Sequence, residues 1–434
     1  MEASRDRARQ LLEETGVERD SRTEGGFSSI EKSLPHDMGS PFSIPLTDRL
    51  SSYLGARNPF AQHIDPNSEV VWLLDNTAYR PVHFYSHADQ PWHAEYAVAY
   101  FKKNAGKDVS NAVADIADKI GLGKKGADRQ EEERTISDRL QLIVATIAPA
   151  RSVDVRFPDG PKRLGPGGRS AVSETLISDL GEHKDGDTIS LEAIPPQSAP
   201  YGPMTTHFAA PEGWMVISGK PKFSSRLPSE SLLTISLDID DSIKVTMTPS
   251  PIGILRSTFV STPTPIAGMP ALYTHIHSLL SPTWFYLSAS PYNLYPFLRP
   301  FLRANYPPGQ ILLREASWQD LGGFLAGLTQ GTEAYKSSRM EKIHGMLPRR
   351  KVLCVGDSTQ SDPEAYGDMY RKFGGGWIRK VFIRKVTDVA EMNKSQKNSD
   401  ERFEKAFRDV PRSVWTVFED PAVLYAEVEK LKEM

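Results

Sequence analysis

Residues 231–246 read SLLTISLDIDDSIKVT, an apolar run, Leu232–Leu237, that meets Asp238, Asp240 and Asp241 within four positions. A parallel strand buried on both faces reads this way, and the C-terminal end of such a strand is where open α/β sheets carry their chemistry. Three carboxylates so close repel one another, a cost that a cation or a shared proton offsets. An exposed acidic turn would give the same tetrapeptide, so neighbouring segments must decide.

Three of them do. TWFYLS (283–288) is a second apolar run, ending in Ser288 and followed by ASPYNLYPFL. KVLCV (351–355) is a third, followed by GDSTQSDPEAY with Asp357 and Asp362. Between them EAYKSSRMEKIHGML reads as a helix with Lys336 near its start and Met340, Ile343 and Met346 at core-like spacings. Acid, hydroxyl, ammonium and acid thus recur at loop or helix-start positions of a strand–helix–strand pattern. If the strands are neighbours, all four reach the same rim of the sheet.

That set suits phosphoryl transfer. One carboxylate can attack phosphorus, a second can exchange a proton with the leaving oxygen, and further acids can hold a hard Mg²⁺. Ser288 and Lys336 can bind and neutralise the equatorial phosphoryl oxygens. The four segments resemble the motifs of the haloacid-dehalogenase-like phosphohydrolases: D-x-D-x-T/S as DIDDS, a strand-end serine in YLSASP, a helical lysine, and G-D-x₄-D as GDSTQSD. More closely, DIDDSIKVT, LRSTF, AGMP, FYLSASPYNLYPFL, AYK and VGDSTQSDPEAY together resemble the catalytic domain of the fungal actin-patch-associated phosphatidate phosphatase family, over roughly Leu232 to Val386. WLLDNTAY and WHAEYAVAYF resemble the upstream module of that family.

The resemblance implies an α/β fold, a Rossmann-like haloacid-dehalogenase-type domain preceded by a β-rich module. It also implies Mg²⁺-dependent conversion of phosphatidate to diacylglycerol and phosphate. Carried over residue by residue, Asp238 is the nucleophile, and Asp240 is the acid and base whose backbone carbonyl also helps to hold Mg²⁺. Ser288 and Lys336 bind the phosphoryl group, and Asp357 and Asp362 complete the metal's surroundings. Asp241 either organises the loop or orders metal-bound water. Ser242 replaces the more usual threonine, Thr359 stands where glycine is commoner, and Glu315 and Lys385 each stand where aspartate is expected. The implied partners are a phosphatidate-containing membrane surface, engaged peripherally, and cortical actin-associated proteins. The implied location is cytoplasmic, at membranes or cortical actin patches. A phosphatase of soluble phosphomonoesters and a noncatalytic membrane or cortical adaptor are the alternatives.

Outward from this centre, the chain divides into a leader at 1–59, a β-rich module with a helical insertion at 60–225, the catalytic domain at 226–390 and a helical extension at 391–434. EVVWLLDNTAY, RPVHFYSH and HAEYAVAYF are strand-like, and a helix runs from an Asp108 cap through Ile120. A second helix opens at Asp128. In the tail, Phe403 and Phe407 are four apart and share a helical face.

Composition excludes several classes. With 52 Lys+Arg against 55 Asp+Glu in 434 residues and a formal net charge of −3, the chain has no polybasic character, and no nucleic-acid partner is expected. No apolar run reaches the ~18 residues of a membrane span, and the N-terminus MEASRDRARQLLEETGVERD has no signal-peptide core. The single cysteine, Cys354, lies in an apolar run and reads as core. His275 and His277 are two apart on a helix and face different ways, which argues against a metal pair. Gly356 reads as the turn before Asp357, and 374–376 as a turn before WIRKVFIRKV. His207 and Trp214 read as packing at the domain junction. Tyr292, Tyr295 and Phe297 read as core or cap packing near the catalytic rim. The basic residues from Arg349 to Lys380 read as a solvated face or as attraction for anionic lipid.

Overall fold

The computed structural model describes residues 22, 26–33, 62–81, 90–103, 109–122, 127–143, 145, 148, 150–166, 172–194, 196, 203–218, 239–314 and 332–434. Helix α1 (Phe27–Ser33) precedes a nine-stranded sheet built from β1 (Gln62–His63), β2 (Glu69–Leu73), β3 (Asn76–Tyr79), β4 (His93–Lys102), β5 (Arg151–Phe157), β6 (Gly160–Leu164), β7 (Val172–Ile177), β8 (Thr188–Ile194) and β9 (Met204–Phe208). The strand order is β1-β5-β8-β9-β3-β4-β2, with β6 beside β5 and β7 beside β4. Two helices, α2 (Ser110–Lys119) and α3 (Ala127–Ile143), interrupt it between β4 and β5. The β-rich character matches the expectation from sequence. Asp108, expected to cap α2, lies outside the described residues.

Strand β4 shows why this module does not stand apart. Its residues alternate between two apolar surroundings: Ala94, Tyr96, Val98 and Tyr100 pack inside the module, while Ala99 and Phe101 join a cluster that also holds Ile116, Ile136, Ile254 and Leu272.

Among the described residues the second sheet has six parallel strands: β10 (Trp214–Ser218), β11 (Thr283–Pro291), β12 (Gln310–Arg314), β13 (Lys351–Asp357), β14 (Ile378–Arg384) and β15 (Trp415–Phe418). Their order is β12-β11-β10-β13-β14-β15. Helices α4 (Pro251–Phe259), α5 (Met269–Leu280), α6 (Tyr295–Asn305), α7 (Thr332–Met346), α8 (Asp362–Phe373), α9 (Asp400–Ala406) and α10 (Tyr425–Leu431) accompany it. Val216, Tyr286, Leu353 and Phe382 belong to one cluster, and Met215, Phe285, Cys354 and Val381 to the other, so the central strands are buried on both faces. Burial on both faces removes the polar alternation and leaves the continuous apolar runs read in TWFYLS and KVLCV.

Two boundaries differ from the expectation. Strand β10 was assigned to the β-rich module ending at 225, yet it is the central strand of the parallel sheet, paired with β11 on one side and β13 on the other. The run expected there, 232–237, lies outside the described residues, and both edges of β10 are already taken. The tail was expected to be a helical extension, yet it contributes β15, hydrogen-bonded to β14. Phe403 and Phe407 are buried against the sheet as their spacing implied.

The two sheets are also joined by charge. Asp75, after β2, accepts from Arg299 of α6 through both oxygens, at 2.8 and 2.7 Å, and both side chains are nearly inaccessible. The Tyr295 hydroxyl accepts from the backbone N–H of Asp75 at 2.9 Å. Breaking such a buried pair on one side typically costs about 3–5 kcal/mol.

Candidate active site

In open parallel sheets, the crevice lies at the carboxyl ends of the strands, where the chain reverses its direction of travel across the sheet. Here β10, β11 and β12 run outward one way and β13, β14 and β15 the other, so that reversal falls at β10. Ser288 lies in the C-terminal part of β11, Asp357 ends β13, and the loop 239–248 lies between them.

Asp240 is 6% exposed. Its Oδ2 accepts from Ser288 Oγ at 3.0 Å and from Ser290 Oγ at 3.4 Å; its Oδ1 accepts from Thr246 Oγ1 at 2.6 Å and pairs with Lys244 Nζ at 3.4 Å. Lys244, 2% exposed, also donates to Thr246 Oγ1 at 2.7 Å. Asp240 is thus fixed from both sides. The cleft beside it is lined by Thr248, Ile254, Leu294, Phe297 and Leu298, an apolar wall against a polar floor. Tyr292 and Tyr295 are buried, in keeping with packing, whereas Phe297 reaches this cleft.

Asp241 organises the loop. Its Oδ1 accepts from the backbone N–H groups of Thr246 and Met247 at 2.9 and 2.8 Å, and its Oδ2 from the N–H of Thr248 at 2.6 Å and from the Thr248 hydroxyl. Asp241 itself has φ +56°, a left-handed conformation that aspartate tolerates better than most residues. Burial, and then the nearby charge of Asp357, pushes its carboxyl above the ordinary range. Met247, at φ +60°, sits against Gly253, where an added Cβ would meet Met247 Cβ at 2.6 Å.

Asp357, fully buried, accepts from Thr359 N and Oγ1 at 2.7 and 2.6 Å and from Ser242 Oγ at 2.8 Å. Its own N–H donates to Asp362 Oδ2 at 2.7 Å. The role of Gly356 is spatial. It has no positive φ, but a Cβ there would lie 2.4 Å from Asp362 Cγ, so only glycine lets the two acids fold back on each other. Beyond these, Lys397 donates to Thr359 O and Arg402 donates to Ser358 O at 2.7 Å, to Gln360 O, and to both oxygens of Glu364 at 2.8 and 3.0 Å. The tail therefore holds the loop that follows Asp357.

Of the residues singled out from sequence, Asp240 and Ser288 meet directly, and Ser242, two positions beyond Asp240, meets Asp357, which meets Asp362. Asp238 and Glu315 lie outside the described residues. Lys336 is near the start of α7, as expected, but its side chain lies outside them. Lys385 pairs with Glu419 at 3.6 Å at the β14–β15 edge. Cys354 is fully buried in β13, with burial pushing its thiol well up. His277 accepts from Trp284 Nε1 at 3.1 Å, a packing role.

Sequence reasoning gave no role to Lys244, Thr246 or Arg384, whose Nη1 donates to Asp241 O at 3.0 Å. The signal for Lys244 was a lone cation in the otherwise apolar and hydroxylic run SIKVTMT, four residues after an acid. Asp240, Asp241, Asp357 and Asp362 are all buried with mainly hydroxyl and amide partners. Their oxygens are the donors a hard cation takes, and its charge would offset their clustering. Among the described residues no three His, Cys, Asp or Glu side chains converge into a cage.

Residues 233–385 match the protein-family model described as the catalytic domain of phosphatidate phosphatase APP1. Over 150 residues the chain is 33% identical to phosphatidate phosphatase APP1 of Saccharomyces cerevisiae, an alignment that covers 34% of this chain and 25% of that protein. The chain thus spans about a quarter of the length of the relative it matches. No solved structure matches. Among the described residues no helix is long and apolar enough to cross a membrane.

Proposed function

We propose that the chain is a Mg²⁺-dependent phosphatidate phosphatase whose matched region is a Rossmann-like, haloacid-dehalogenase-type domain. Family-level phosphatase activity is supported by the matched region and by the name of its yeast relative. The observation that carries the mechanistic reading is the pairing of Asp240 with Ser288 and of Ser242 with Asp357, at the carboxyl ends of parallel strands.

In this reading the Asp238 carboxylate attacks phosphorus and the bond from phosphorus to the glycerol oxygen breaks. Asp240 gives its proton to that oxygen, and diacylglycerol leaves. Asp240 then takes a proton from the water that attacks the aspartyl-phosphate, releasing phosphate and restoring Asp238. Ser288 and Lys336 hold the phosphoryl oxygens, and Lys244 and Thr246 keep Asp240 aimed. Asp238, Asp357, Asp362 and the Asp240 carbonyl would hold Mg²⁺, which when bound supplies positive charge to the phosphoryl oxygens. Phe297, Leu294 and Leu298 give the cleft an apolar wall. The protein would meet phosphatidate-bearing membranes peripherally from the cytoplasm, with cortical actin-associated proteins as partners.

The test is phosphate release from phosphatidate in mixed micelles, with and without Mg²⁺, for wild type and Asp238→Asn, beside a small phosphomonoester. Release that needs both Mg²⁺ and Asp238 is expected. Release from the soluble ester alone would assign a soluble substrate, and wild type that binds vesicles without turnover would assign an adaptor.

A further inference from the structure

A second cleft, of about 360 Å³, opens where the two sheets meet, between Thr188, Thr205 and His207 of β8 and β9 and Arg303, Pro307 and Ile311 of the α6–β12 region. It shares no lining residue with the cleft beside Asp240. Its volume falls within the range of small-molecule sites, and its walls combine an apolar side with a few polar groups.

Arg303 decides its chemistry. The side chain is 45% exposed, against 2% for Arg299 one turn earlier. Asp75 is committed to Arg299 through both oxygens and accepts from Thr205 N at 2.7 Å, so Arg303 reaches it only at 3.4 Å from each oxygen. Among the described residues the hydrogen bonds of Arg303 leave from Nη2, including one of 2.7 Å to Thr205 Oγ1. The N–H groups on Nη1 and Nε are uncommitted among the described residues; they lie on different edges of the guanidinium, so each can donate a separate charge-assisted hydrogen bond to an oxyanion. Thr188 Oγ1 lies 3.3 Å from His207 Nδ1. With Thr188 donating there, the ring carries its proton on Nε2, a further donor; burial holds His207 below the ordinary imidazole range, so the ring is neutral.

We propose that this cleft binds an oxyanion, carboxylate or phosphate, carried on a small apolar body, with Arg303 taking the charge and Pro307 and Ile311 the body. The site stands whether or not the chain hydrolyses phosphatidate, because none of its groups belongs to the Asp240 cleft.

Calorimetric titration of the full chain with benzoate, and separately with inorganic phosphate, tests it. Saturable one-to-one binding with a dissociation constant on the order of 1 mM is expected for at least one probe. That binding should weaken about tenfold or more in Arg303→Gln, and equally in Thr188→Tyr, which fills the cleft from an exposed position outside the ion-pair network. Benzoate binding alone would identify a carboxylate ligand, and Arg303-dependent phosphate binding alone a phosphate ligand. Absence of saturation with both probes would overturn the proposal. So would binding that a folded Thr188→Tyr variant leaves unchanged, including phosphate binding that only Asp238→Asn abolishes.

Discussion

Ser242 and Asp357, 115 residues apart, are joined by a buried hydrogen bond of 2.8 Å from the serine hydroxyl to the carboxylate. It ties the loop after Asp240 to the end of β13. Ser242→Ala removes a donor from a buried carboxylate, and unfolding free energy should fall by about 1–3 kcal/mol. Ser242→Thr keeps the hydroxyl and should recover most of that loss. Denaturant unfolding of the three proteins checks this; an alanine variant as stable as wild type would contradict it.

Lys244 pairs with Asp240 where both are nearly inaccessible. Lys244→Met leaves the carboxylate buried without its cation, and we expect a loss of about 3–5 kcal/mol. Lys244→Met combined with Asp240→Asn should recover part of it, because no charge then remains unpaired. A double variant no more stable than Lys244→Met would show that the lysine acts through packing instead.

Much of this site was legible in sequence, for a local reason. Apolar runs ending in a hydroxyl or an acid mark buried strands whose carboxyl ends meet, and Ser288 on β11 and Asp357 on β13 follow that pattern; the run before Asp240 lies outside the described residues. Lys244 was missed because a buried lysine looks like any surface lysine until its neighbours are known. Strand β10 was missed because WMVIS is short and strand order is non-local: nothing in the run itself says that it pairs with residues 283–286 and 351–355. For β15, four residues flanked by charge gave too little apolar signal.

Helix α7 docks on the N-terminal sheet through Glu95 of β4 and Glu174 of β7, with Lys342 at 2.6 and 3.3 Å from them and Arg339 at 3.4 Å from Glu174. Burial, and then the hydrogen bond and charge of Glu174, pushes Glu95 up to about 7 from 4.5. A carboxyl raised on folding stabilises fully below its unfolded value, and that contribution is lost as pH rises through the folded one. Thermal stability should therefore decline between about pH 5 and pH 7, and Glu95→Gln should flatten the decline. An unchanged slope in the variant would place the titration elsewhere.

The proposed covalent catalysis on Asp238 is tested most directly by acid quenching of the full chain during turnover of phosphatidate labelled in its phosphate. Label bound to protein, mapped to Asp238 and absent from Asp238→Asn, is expected. Rapid phosphate release by wild type with no label on the chain at any quench time would contradict it.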